Sequence, residues 1–242
     1  MKILIIRHGE PDYSIDSLTE KGWREAELLS ERLVKMNIDE IYCSPLGRAQ
    51  DTAKPTLEKL GMKAETLPWL EEFRGKIPPY SKTKQTHPWD IHPAAWQNDK
   101  AAFDKDDWVN SEIVRTGNSA EIYKETKEGM DALLAKYGYV RDGMMFHNDN
   151  NDEKTIALFC HFALGAAVVG YMAGISPFLM WNSFFMPPSS VTTLISSEVK
   201  KGDIFFRCMQ FGDTSHLYAE GEPISKAGLL PEIYDPNSYR NI

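Results

Sequence analysis

Two histidines stand where strands should end. His8 follows the apolar run 2–6 with only Arg7 between them, and His161 follows the run 155–160. Short runs of β-branched and apolar residues suit strands buried on both faces of a parallel sheet. In such a sheet both imidazoles emerge at the carboxyl edge, where open α/β sheets take their ligands. One histidine alone reads most simply as a structural residue; two at matching strand ends reverse that reading. Arg48 adds a guanidinium at the start of a helix that follows a strand, and a helix amino end beside a guanidinium favours an anion. The ligand implied by these residues is a phosphate.

The elements that must position them alternate. Thr19 can cap a helix whose apolar positions Trp23, Ala26, Leu29 or Leu33 recur at three to four residues, ending near Asn37. A strand over 40–43, a turn over 44–47 and a helix over 48–60 follow, with Gly61 as its stop and Pro55 as a local disturbance. Next come a strand over 63–67, a helix from Asn118 to about Tyr137 with an Asn-x-x-Glu cap completed by Glu121, and the strand 155–160. Segments 190–196 and 203–210 read as two later strands, antiparallel at an edge. Alternation of this kind implies crossover connections and a largely parallel sheet. Between Lys76 and Thr116 the pattern fails, broken by Pro78, Pro79, Pro88, Pro93, Trp89, Trp96 and Trp108. That segment reads as an irregular insert, either a substrate-selecting lid or a satellite core, because tryptophans argue for packing.

Composition narrows the partners. The 242 residues carry 42% hydrophobic and 26% charged side chains, close to the globular average, and fit one domain over 1–242. A formal charge of -8 has the wrong sign for gripping nucleic acid by counterion release. Cys43, Cys160 and Cys208 show no CxxC spacing, which argues against a disulfide framework or a zinc site. The opening apolar run is too short for an export signal, so the expected location is cytoplasmic. The uncharged stretch 162–197 is interrupted by prolines and reads as a buried helix and strand rather than a membrane span. Its aromatic residues Phe178, Trp181, Phe184 and Phe185 fit either core or a subunit contact, which leaves a homodimer open.

With these residues in view the chain resembles the histidine phosphatase superfamily, which includes the cofactor-dependent phosphoglycerate mutases. Arg7-His8-Gly9 after an opening strand is similar to the family signature. Leu18-Thr19 with Gly22 is similar to its first helix, and Ser44-Pro45-Leu46-Gly47-Arg48-Ala49-Gln50-Asp51-Thr52-Ala53 to its second motif. Leu70-Glu71-Glu72 and the strand ending at His161 extend the resemblance over most of the chain outside the insert. The resemblance implies a three-layer α/β/α sandwich, phosphoglycerate mutase-like. It implies that His8 is the nucleophile that becomes phosphorylated, that Arg7, Arg48 and His161 bind phosphoryl oxygens, and that Glu72 protonates the leaving group. The chemistry agrees. Phosphoryl transfer spreads negative charge that fixed cations stabilise, and Arg7 and Arg48 should keep His8 neutral with a lone pair for attack. A buried glutamate holds its proton more tightly and can serve as acid.

Departures choose within the family. Glu10-Pro11-Asp12-Tyr13-Ser14 replaces the usual Thr and Trp-Asn continuation, Pro11 and Phe162 stand where the acid phosphatase branch has arginine and aspartate, and Phe73-Arg74-Gly75 replaces the mutase continuation. The expectation is a metal-independent phosphomonoesterase acting on a small phosphorylated substrate, without cofactor. The alternatives are a mutase-type phosphotransferase or a phosphate-binding regulatory member without turnover. His87, His92 and His147 read as solvated, His216 as a loop contact or cap, and Cys160 as a small buried hydrophobe on the strand face opposite His161.

Overall fold

The computed structural model describes residues 1–78, 86–149, 153–230 and 232. Pro79, which belongs to the insert read from the sequence, lies outside the described residues. A short antiparallel hairpin, β2 (Pro11–Asp12) with β3 (Ser17–Leu18), stands apart from the main sheet, whose core strands β1 (Lys2–Arg7), β4 (Glu40–Cys43), β5 (Ala64–Thr66) and β8 (Thr155–Cys160) run parallel in the order β5-β4-β8-β1. The sheet then continues antiparallel through β9 (Val191–Lys200), β10 (Asp203–Asp213), β7 (Met145–His147) and β6 (Val140–Asp142), giving eight strands. The pair expected at an edge is therefore interior: β9 lies directly against β1. The β6–β7 hairpin that covers it was hidden in the sequence, since strands of three residues carry too little pattern to read.

Alternation along the central strands divides the core. Ile3 and Ile5 of β1 with Ile156, Leu158 and Cys160 of β8 face one cluster, and Leu4 and Ile6 with Ala157 and Phe159 face the other. On the second face pack α1 (Glu20–Leu33) and α2 (Gly47–Leu60); on the first pack α3 (Ser119–Ala135), α4 (Phe162–Ala173) and α5 (Pro177–Ser183). The result is a three-layer α/β/α sandwich around a mixed sheet that is parallel at its core.

Local chemistry explains the element ends. Thr19 Oγ1 accepts the Gly22 amide at 3.0 Å and caps α1, as its sequence implies. Trp23 does not join the buried face and is 38% exposed; Gly22 and Glu25 take the inner positions instead. Gly22 must be small there, because a Cβ would stand 2.2 Å from Glu10 O. Pro55 does not break α2, whose buried Ala49, Thr52, Ala53 and Thr56 hold it against the sheet despite one missing amide. Asn118 does not form the expected cap on α3; its Oδ1 accepts the Lys76 amide at 2.6 Å, tying the insert to that helix. The insert itself, over its described residues, is a chain of short 3-10 turns. Its Trp96 and Trp108 are buried in the main core with Phe73, Phe178 and Trp181, so they form no satellite.

One buried acid has consequences for stability. Glu25 is fully buried; its Oε2 accepts the Glu10 amide at 2.7 Å and its Oε1 has no partner. Burial pushes its carboxyl up from 4.5 to about 7. A folded-state value above the unfolded one means that its contribution is intact below pH 4.5 and is lost as pH rises through 7. Going from pH 5 to pH 8 should therefore cost about 2 to 3 kcal/mol. Thermal melts of Glu25→Gln are expected to show a Tm that varies less over this range than the wild-type Tm, and parallel curves would refute it.

Candidate active site

The parallel register of β1 and β8 sets Arg7 opposite Cys160, so the residues that follow, His8 and His161, leave the sheet together. The His8 amide still donates to Cys160 O at 3.0 Å, and His8 O accepts the Ser189 amide at 3.0 Å. The next residue is tied to α2: the Gly9 amide donates to Thr52 Oγ1 at 2.9 Å, and that hydroxyl donates to Arg48 O. The first and second motifs are thus held as one unit through the Thr52 hydroxyl.

Two neutral imidazoles result. The rings of His8 and His161 lie 5.2 Å apart between centroids. His8 Nδ1 is 2.7 Å from Gly9 O; a carbonyl only accepts, so Nδ1 carries the proton and Nε2 keeps its lone pair. Burial first, then the charge of Arg7, holds the His8 pKa well below the usual imidazole value. His161 is lowered likewise, by burial and then by His8 and Arg48. Ser44 Oγ accepts the Leu46 amide and lies 2.8 Å from His161 Nε2, while His161 Nδ1 is buried with no partner.

The arginines are partly engaged. Arg7 donates from Nη1 to Met186 O at 2.6 Å and from Nη2 to Ala227 O at 3.1 Å, with its guanidinium near the Phe162 and Phe185 rings. Burial lowers it to about 10, so it remains charged at neutral pH. Arg48 Nη1 donates to Asp16 Oδ1 at 2.6 Å, and the other oxygen of Asp16 accepts the Gly47 amide at 2.7 Å. An anion already sits at the amino end of α2, and it belongs to the protein. Asp16 adopts a left-handed φ of 47°, and a Cβ on Gly47 would stand 2.1 Å from Asp16 O, so the contact requires glycine. The Nε atoms of both arginines are buried without a partner.

Glu72 is held by the start of α4. Its Oε1 accepts the Phe73 amide at 2.8 Å and the Leu164 amide at 3.0 Å, and its Oε2 accepts the Ala163 amide at 3.4 Å. Burial raises its pKa against these bonds and the charge of Arg7. Its neighbour Glu71 turns outward to Arg74.

Arg7, His8 and Glu72 share a cavity of about 280 Å³ with Tyr13, Trp181, residues 89–92 of the insert and residues 228–230. Arg48 and His161 are not among its lining; they meet it through Tyr13, whose ring lies over Arg48, and through the ring of His8. Asp16, Ser44 and the tail carbonyl of Ala227 were not singled out from the sequence. Only Ser44 had a signal, its place in the second motif; the others come from distant segments. Of the histidines set aside, His92 is exposed and lines the cavity, His87 accepts from Lys76 Nζ, His147 is exposed beside Asp149, and His216 is buried against Ser189 Oγ. Cys160 is buried in the core cluster on the side of α3, α4 and α5.

The model of the histidine phosphatase superfamily (branch 1) matches residues 3–203. The chain belongs to that superfamily. Among similar proteins, a probable phosphatase of Schizosaccharomyces pombe is 40% identical over 67 residues, 24% of this chain and 32% of its own. The probable phosphoglycerate mutase GpmB of Yersinia enterocolitica is 34% identical over 82 residues, 30% of this chain and 38% of its own. The matched part thus spans about a third of the length of these curated relatives. Among solved structures, a phosphoserine phosphatase mutant of Entamoeba histolytica in complex with phosphoserine has a TM-score of 0.60 at 20% identity, covering 89% of this chain and 98% of that one. A mycobacterial glucosyl-3-phosphoglycerate phosphatase has a TM-score of 0.58 at 22% identity, covering 87% and 98%. These neighbours share the phosphoglycerate mutase-like fold.

Proposed function

We propose that this chain hydrolyses phosphate monoesters by way of a phosphohistidine at His8. The observation that carries the reading is the set of buried side-chain nitrogens without partners, Arg7 Nε, Arg48 Nε and His161 Nδ1. Leaving a buried polar atom unpaired costs about 1–3 kcal/mol; the three stand on side chains from separate segments around one imidazole, and a phosphoryl group, protonated where it meets a lone pair, would satisfy them.

In the reaction His8 Nε2 attacks phosphorus and the ester P–O bond breaks. The alcohol oxygen leaves with the proton of Glu72, while Arg7, Arg48 and His161 hold the equatorial oxygens. Water then attacks the phosphohistidine, returns a proton to Glu72 and releases inorganic phosphate and free His8. Arginine charge and ring donors supply the electrostatic stabilisation, so the chemistry as written uses no metal. The substrate is a small phosphorylated molecule, as the names of the structural neighbours indicate for those proteins. The unpaired Cys43, Cys160 and Cys208 and the net charge are in keeping with a cytoplasmic setting. No helix among the described residues is long and apolar enough to cross a membrane.

A denaturing quench at alkaline pH after mixing with ³²P-labelled ester is expected to trap one labelled, acid-labile histidine per chain, and label at another residue type would end the proposal. The name of the Yersinia relative favours a second reading, transfer to a second phosphorylated substrate; chasing the labelled enzyme with phosphoglycerate separates the two, since the phosphatase releases its label to water. Arg48→Ala is expected to lower kcat about a hundredfold, as loss of a transition-state donor does. A kcat within threefold of wild type would place Arg48 outside the site.

A further inference from the structure

From the cavity beside His8 we infer that the phosphate ester accepted here carries an apolar, ring-bearing alcohol rather than a second charged group. The inference rests on the proposed function and extends it to the part of the substrate that leaves. The phosphoryl group belongs with the unpartnered nitrogens and the ester oxygen with Glu72, so the rest of the alcohol must extend along the remaining wall. Most of that wall is aromatic or aliphatic, carried by Trp89, Ile91, Trp181, Phe184, Leu229 and Leu230, with Asp90, His92, Asn182 and Ser183 as its polar members. Phe184, Leu229 and Leu230 are 43%, 45% and 56% exposed, large apolar side chains gathered at one opening, as at surfaces that a ligand covers.

Charge supports the same choice. Among the described lining residues Arg7 is the sole lysine or arginine, and two of its nitrogens are already committed to Met186 O and Ala227 O. A carboxylate on the alcohol would lose its hydration against rings without gaining a cation. At about 280 Å³ the space lies at the small end of ordinary ligand sites and suits one ring on a short linker.

The test uses esters of similar alcohol acidity, so that leaving-group chemistry does not decide the result. The purified chain is assayed with 2-phenylethyl phosphate, ethyl phosphate, 3-phosphoglycerate and glucose 6-phosphate. A kcat/KM for 2-phenylethyl phosphate on the order of a hundredfold above each of the others is expected, since every buried methylene-sized group adds several-fold. Phe184→Ala should cut the preference for 2-phenylethyl over ethyl phosphate about tenfold. Equal or better use of 3-phosphoglycerate or glucose 6-phosphate overturns the inference while leaving the hydrolase standing. If none of the esters turns over, the hydrolase reading falls, and the pocket is judged by calorimetry with 2-phenylethylphosphonate against ethylphosphonate. There a tenfold tighter fit for the ring compound upholds the inference and equal affinities overturn it.

Discussion

His8→Asn is expected to lower kcat by at least about 10⁴-fold, to leave no labelled protein after an alkaline quench, and to keep the fold. The asparagine amide can still donate to Gly9 O, the bond that His8 Nδ1 makes at 2.7 Å, so the turn after β1 retains its partner. What disappears is the bare Nε2. Melting within a few degrees of wild type, together with retained binding of inorganic phosphate, would show that the loss is chemical. Activity within tenfold of wild type would mean that another group attacks phosphorus.

Glu72→Gln is expected to lower kcat about 10²- to 10³-fold on alkyl esters, and far less on p-nitrophenyl phosphate, whose leaving group needs no proton. The glutamine Oε1 can keep the Phe73 and Leu164 amides, so the start of α4 survives the change. The sign of the pH effect follows from the raised pKa of Glu72. The protonated form is the competent one in the first step, so wild-type kcat on an alkyl ester should fall as pH climbs past that value, and the variant should lack this fall. An equal loss on both ester types would assign Glu72 to holding α4 rather than to proton transfer.

The sequence carried those parts of the site that lie at strand ends. His8 and His161 were legible because the β1 and β8 runs are apolar on both faces and stop abruptly, and Arg48 because it opens a helix. Glu72 needed the family resemblance, since neither burial nor an amide-rich helix start can be seen from Leu70-Glu71-Glu72 alone. The outer strands were harder. β9 carries polar residues over half its length and yet lies inside the sheet, because β1 takes one of its edges and β10 the other. Asp16 was invisible: a lone aspartate in a short hairpin becomes the partner of Arg48 only when the chain folds back on α2. Trp23 shows the same limit, as an apolar residue at helical spacing whose place at the core is taken by Gly22 and Glu25.

The segment 222–228 runs past the opening motif. Glu222 and Pro223 O receive Lys21 Nζ, Ser225 Oγ donates to Glu10 Oε2, and Ala227 O accepts from Arg7. Translation therefore delivers two touching parts of this site more than two hundred codons apart. The hydrogen bond from Arg7 to Ala227 O can form only once residue 227 has been made.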